Sequence, residues 1–209
     1  MQVWLSNTDR HRLGQMASKT GCTRSQLARE AIKLMLDESE NRLRQKIAIA
    51  DAGLSFDDFD LSAKAAIARA DEQAYQLGYN RIGSEHLLLA VAMDPGLSPK
   101  LCQFSLTPNV IKNKILIFLG LGTDTVFDQL AVTSNCRRVF QYARKLKTER
   151  QESLIGTEHL LLSLLAQGVG GAYNVLHVIA PDREPIRSLI LKSMPPQPAK
   201  KSRRRVARM

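Results

Sequence analysis

A chain of 209 residues with a net charge of +10 and few aromatics has room for one ordinary domain or two small ones, with Leu, Ala and Ile carrying the burial, which favours helices. No run of eighteen apolar residues occurs, which excludes a spanning helix, and the start "MQVWLSNTDRHRL" turns polar too soon for a secretory signal. Cys22, Cys102 and Cys136 are scattered and odd in number, which speaks against a disulfide framework or a zinc site and for free thiols in a reducing cytoplasm.

The positive charge is uneven. Residues 1–45 carry eight basic and five acidic side chains, residues 46–130 seven and ten, residues 131–194 nine and five, and residues 195–209 six and none. Basic ends around an acidic middle point to a polyanion contact, or to a solubilising tail.

In chain order, "QVWL" at residues 2–5 alternates polar and apolar and predicts a short strand, with Val3 and Leu5 on one face and Gln2 and Trp4 on the other. "NTDRHRLGQMASKTG" predicts a helix that ends at Gly21 and buries Leu13, Met16 and Ala17. A second helix starts at Thr23, where Gln26 three residues on completes a capping box. Residues 46–60 are expected to be a linker, ending in the acidic "SFDDFD".

From Leu61 the pattern is helical throughout, with breaks at Gly and Pro. Ser62 is expected to cap the first helix and Ser84 the second. Pro108 follows Thr107 at a first-turn position. The plan then restarts, with Thr133 and Thr157 as expected caps. "IGSEHLLLAV" at 82–91 returns as "IGTEHLLLSL" at 155–164, so two copies tile residues 61–121 and 132–194. "PPQPAKKSRRRVARM", residues 195–209, is Pro-rich and then basic and reads as a disordered tail.

The doubled signature admits two chemical readings. Ser or Thr, Glu and His are suited to a helix start, where a hydroxyl accepts from free N–H groups and a carboxylate is favoured by the helix dipole; the Leu triplet wraps more than one face and implies a central, buried helix. Alternatively, Glu85/His86 and Glu158/His159 would form a two-Glu, two-His metal site. Adjacent helical residues point about 100 degrees apart, which argues against that site and against an enzyme. No metal or other cofactor is expected, and no "GxxxxGK[ST]" occurs, so the chain holds no P-loop.

"AIARADEQAYQLGYNRIGSEHLLLAVA" and "VFQYARKLKTERQESLIGTEHLLLSLL" resemble the repeat of the N-terminal domain of Clp-type unfoldases, the ClpA and ClpC families. The resemblance covers residues 61–194 and implies an all-α fold of duplicated four-helix repeats. It implies as partners a Clp ATPase, an adaptor or a tagged protein substrate. In the ClpC branch the glutamate of each "TEH" binds the guanidinium of phosphoarginine, and hydroxyls at the start of each repeat's first helix hold the phosphate. By position these roles fall to Glu85 and Glu158, with Ser62 and Thr133.

Residues 3–36 resemble the ribbon–helix–helix fold of the CopG and Arc type, with Leu5, Leu13, Ala17, Gly21, Thr23, Ser25, Leu27, Ala31, Ile32 and Leu36 at matching places. The resemblance implies a homodimer through residues 1–40 and binding of double-stranded DNA, hence a link to transcription regulation. Gln2 and Trp4 would face the groove, and Thr23, Arg24 and Ser25 would hold a phosphate. Trp4 departs from the basic residue the family often carries there. Residues 1–45 therefore read as a dimerisation or DNA-binding module.

Overall fold

The computed structural model describes residues 7–20, 23–29, 33, 37–38, 54–123 and 131–196. It divides into two compact units, Met1–Leu43 and Arg44–Met209.

In the first unit, α1 (Asn7–Thr20) is followed by α2, helical over residues 24–29 and again at 33 and 37–38. The start of α2 carries the reciprocal cap that its sequence predicts: Thr23 N–H donates to Gln26 Oε1 at 2.8 Å, and Gln26 N–H donates to Thr23 Oγ1 at 3.2 Å. The expected strand at residues 2–5, with Gln2 and Trp4, lies outside the described residues. Met16, expected on a buried face, is 56% exposed.

Among the described residues, the second unit has eight α-helices in two sets of four. The first set is α3 (Leu61–Gln76), α4 (Ser84–Ala92), α5 (Ser98–Cys102) and α6 (Pro108–Leu119). The second is α7 (Ser134–Arg150), α8 (Thr157–Ala166), α9 (Gly171–Ile179) and α10 (Glu184–Ser193). α3 buries Ala63, Ala66, Ile67, Ala70 and Ala74, and α7 buries Cys136, Val139, Phe140 and Ala143; both are single stripes at helical spacing. α4 and α8 differ. Leu87 to Ala92 and Leu160 to Leu165 are buried on every side, so these two helices form the centre and the others pack around them. Among the described residues, no single helix is long and apolar enough to cross a membrane.

Short extended segments cross-link the two sets. β1 (Arg81–Ile82) pairs in parallel with β2 (Ala131–Val132), with Ile82 opposite Val132. Phe59 bridges Ile155 in the same sense; Asp60 N–H donates to Ile155 O at 3.0 Å and Ile155 N–H to Asp58 O at 2.7 Å. Each pairing joins the residues before a first-set helix to the residues before a second-set helix.

The segment expected to end a linker is therefore part of the fold. Leu54, Phe56 and Phe59 are buried, and Ser55 and Asp58 cap a 3-10 turn over Phe56–Asp58. Phe59 meets Phe140 of α7 edge to face, with ring centroids 5.8 Å apart. Asp58 also binds Lys147 at 2.9 Å, and the neighbouring cations Lys147 and Arg144 hold its carboxyl below the usual range against the opposing effect of burial. The acidic run looked like a solvated connector because its two Phe are separated by the acids that exit to solvent. At the other end, the Arg150 guanidinium donates to Pro195 O at 2.7 Å, beyond which residues 197–209 lie outside the described residues.

Gly78 and Gly122 touch backbone to backbone, with Gly122 N–H donating to Leu77 O at 2.8 Å; Gly78 has φ +80, and a Cβ there would strike the Gly122 carbonyl.

Truncating Phe59 removes a fully buried ring that bridges the two sets. Phe59→Ala is expected to cost about 3–5 kcal/mol, read as a lower urea midpoint with the m-value unchanged.

Candidate functional site

The two copies of the signature open α4 and α8, each at one of the cross-pairings. Both junctions follow one plan with a constant spacing of 73 residues, which relates Ile82 to Ile155, Glu85 to Glu158, and Asp60 to Thr133.

At the first junction, Thr133 N–H donates to Ile82 O at 3.0 Å, and Thr133 Oγ1 caps α7 by accepting from Cys136 N–H at 3.2 Å. This is the role expected of Thr133. Ser84 was expected to cap α4 but is its first helical residue; the cap position is Gly83. The cap's free N–H is satisfied from within the helix, by donation from Gly83 to His86 Nδ1 at 3.0 Å. Glycine has no side chain with which to reciprocate, so this is half of a capping box, with imidazole in place of the usual Glu or Gln. Ser84 Oγ instead reaches α9, accepting from Ala172 N–H at 3.3 Å, and lies 3.3 Å from Glu85 Oε2.

Glu85 is thus held between the starts of α4 and α9. Its side chain is 12% exposed, and Gly171 lies so close that a Cβ there would collide with the carboxylate. Burial raises the Glu85 carboxyl above its ordinary value, with the Ser84 hydroxyl partly opposing. The buried Cys136 thiol is pushed up, first by burial and then by the Glu85 charge, which places that thiol within reach of the carboxylate's field.

At the second junction the same half-box recurs: Gly156 N–H donates to His159 Nδ1 at 3.1 Å, and Thr157, like Ser84, is the first helical residue and not the cap. Glu158 Oε2 lies 3.5 Å from Thr157 Oγ1. The partner helix differs from expectation. Ser62 does not cap α3. Asp60 does, accepting from Ala63 N–H at 2.7 Å, while Ser62 is exposed within the first turn. A site that is Thr133 in one copy is a carboxylate in the other. Asp60 Oδ2 and Glu158 Oε2 flank Gly156, 2.9 and 3.2 Å from where a Cβ would stand.

The geometry therefore brings Glu158 together with Asp60, not with a hydroxyl, and closes Glu85 in against Gly83 and Gly171, while Thr133 joins that junction through its N–H bond to Ile82 O. The sequence reading missed Asp60, His86 and His159 as capping groups. The 73-residue spacing was the signal that could have found Asp60, since it lands on Thr133.

Nδ1 of each imidazole accepts a backbone hydrogen bond, which leaves only the buried Nε2 of each for any other contact. No group of three His, Cys, Asp or Glu side chains suited to a metal ion occurs among the described residues. His159 Nε2 lies 3.3 Å from Glu152 Oε2, yet burial outweighs this carboxylate and holds His159 below its ordinary value. Thr23, Arg24 and Ser25 are exposed at the start of α2 in the other unit.

A family model for the Clp repeat N-terminal domain matches residues 58–179. The chain belongs to this family. It is 30% identical over 157 residues to the chloroplastic chaperone protein ClpC of Pisum sativum, covering 74% of this chain and 17% of that protein. It is 28% identical over 141 residues to the negative regulator of genetic competence ClpC/MecB of Bacillus subtilis, covering 66% of this chain and 17% of that one. The chain thus spans about a sixth of the length of these curated relatives. Among solved structures, the N-terminal domain of ClpD from Arabidopsis thaliana superposes with a TM-score of 0.54 at 21% identity, covering 66% of this chain and 97% of that one. The Hsp104 N-terminal domain from Candida albicans gives 0.55 at 16%, covering 64% and 89%. At these identities the structural likeness concerns the fold.

Burial lowers His86 to about 4. A neutral imidazole is what its Nδ1 acceptor role requires. Since the folded value lies below the unfolded one, the unfolded chain binds more protons between about pH 4 and 6.5, and stability is lost as pH falls through that window. The ceiling is about 3 kcal/mol. Glu85, raised, acts in the opposite sense, since its folded form holds a proton more tightly and loses stability as pH rises above its unfolded value. His86→Gln keeps an oxygen acceptor for Gly83 and removes the titration. Its melting temperature, followed by circular dichroism between pH 7 and 4, is expected to fall less steeply than that of the unsubstituted protein.

Proposed function

We propose that this protein is a non-catalytic recognition protein. Its double Clp repeat captures a protein substrate or adaptor at the two helix-start junctions, and a ribbon–helix–helix dimer formed by residues 1–40 couples that capture to double-stranded DNA. The observation that carries the first part is the repeated placement of Glu85 and Glu158 at capped helix starts, each beside the start of a helix from the other set. A carboxylate so placed recognises a guanidinium or ammonium group, while adjoining N–H dipoles favour an anion on the same ligand.

The junctions divide this work unequally. At the first junction the cap of the first helix is a hydroxyl, Thr133, as in the Glu-and-hydroxyl pair that holds phosphoarginine in the ClpC branch. Glu158 beside Asp60 has a second carboxylate where the phosphate would sit, and suits a cationic group without a phosphate. Replacing both Glu85 and Glu158 by Ala is expected to weaken capture of an arginine-phosphorylated protein at least tenfold, about 1.4 kcal/mol, with the circular dichroism spectrum unchanged. Asp60→Thr keeps a good N-cap and supplies the missing hydroxyl, and is expected to add phosphoarginine binding at the second junction, measured by calorimetric stoichiometry. Unchanged capture by the double Ala variant would sink the assignment of the junctions.

For the DNA part, the support is the basic excess in residues 1–45 and the exposed Thr23–Arg24–Ser25 helix start. The alternative is a stand-alone accessory protein of a Clp unfoldase without DNA binding, favoured by the share of the chain devoted to the repeats. A monomer by sedimentation, with no duplex shifted at low salt, would decide for that alternative.

A further inference from the structure

The two first helices of the repeat have diverged in charge where the fold does not require it. On α7, the exposed side chains Ser134, Arg137, Arg138, Gln141, Arg144 and Lys145 lie on one side of the helix, which also bears Thr148 and Glu149. At the same 73-residue spacing, α3 carries Lys64 opposite Arg137 and Ala65 opposite Arg138. It carries Asp71 opposite Arg144 and Glu72 opposite Lys145. One copy thus builds the same helix, with a similar buried stripe, while carrying Ala65 and Glu72 where the other has Arg138 and Lys145. Packing does not require the cations at these two positions, whereas Arg144 also acts on Asp58 within the fold. Arg137 and Arg138 make no side-chain ion pair among the described residues, and Lys145 is 65% exposed, with only a loose contact to Glu149 at 3.7 Å.

We infer that the exposed face of α7 is a nucleic-acid backbone contact, with Arg137, Arg138 and Lys145 neutralising phosphates. Along the axis these side chains span about 12 Å at 1.5 Å per residue, about three to four phosphates of one strand. The other exposed groups, Ser134, Gln141 and Thr148, are hydrogen-bonding side chains of the kind that position a protein on phosphate oxygens. No large apolar side chain is exposed on this face, whereas the centre of a protein–protein interface is poor in charge and rich in aromatic anchors. That contrast favours nucleic acid over an acidic protein. The inference does not depend on the ribbon–helix–helix reading, because α7 belongs to the Clp-repeat unit.

The test uses the full chain and a fluorescein-labelled 24-base-pair duplex, with anisotropy titrations between 50 and 200 mM NaCl. The double variant R138A/K145E installs the residues that α3 already carries, so the helix tolerates them. It is expected to weaken binding at least tenfold at 100 mM NaCl and to reduce the slope of log affinity against log salt by about 1.8, or about 0.9 for each lost phosphate contact. R138K, which keeps the charge, is expected to retain affinity. Arg24→Ala, in the N-terminal unit, is titrated alongside. Loss in R138A/K145E with none in Arg24→Ala supports the α7 contact and removes the DNA role of the N-terminal unit. Loss in Arg24→Ala alone overturns the α7 contact and leaves that role standing. Unaltered binding by both variants, or binding of labelled polyglutamate in place of the duplex, also overturns it.

Discussion

The fold rests on two short backbone exchanges. Ile82 pairs with Val132, and Phe59 with Ile155, each within a few residues of a helix start. A four-helix repeat with a helix as apolar as α4 or α8 cannot bury it alone. Crossing the entry segments of one set with those of the other aligns the sets so that both central helices are enclosed at once. The exchanges also satisfy extended N–H and C=O groups that burial would otherwise leave without partners. Phe59 adds the apolar part of the same join by packing on Phe140 across the sets.

Because the exchanges sit at helix starts, they also create the candidate sites. Each crossing brings the N-terminus of a central helix beside that of a first helix, and a carboxylate just inside the central helix then faces two sets of N–H dipoles. The burial that makes such a carboxylate a strong recognition group also raises its pKa, as at Glu85, and drives the adjacent imidazole neutral, as at His86. A neutral imidazole is in turn the acceptor that closes the helix start. The helix start and the proposed recognition site therefore share the same four residues, Gly83 to His86, and the titrations of Glu85 and His86 make the stability of this junction depend on pH.

Duplication allows each feature to be judged against its own copy. The Gly–His half-box is present in both, which marks it as part of the frame. The cap of the first helix is Asp60 in one and Thr133 in the other, and the outer face of α7 bears Arg138 and Lys145 where α3 has Ala65 and Glu72. The surface differences sit where the packed interior imposes little.

Periodicity and punctuation sufficed to read the helices from Leu61 onward, the central burial of the Leu triplets, the Thr107–Pro108 and Thr133 helix starts and the Thr23–Gln26 box. Each is a local matter, decided by side chains within four residues of one another. The caps of α3, α4 and α8 were misread, because serine or threonine beside a helix start looks the same whether it caps or opens the helix; which role it takes depends on the backbone of the preceding residue. The buried role of Phe59 was also hidden, since its partners Phe140 and Ile155 lie about eighty residues or more away in sequence. The sequence by itself thus determined that the chain is a duplicated helical repeat with a basic bias at its ends. Only the tertiary structure decided that Asp60 stands beside Glu158 and that Glu85 is closed in by Gly171. Those are distances between elements, set by how the two sets pack and not by residues within one turn of a helix.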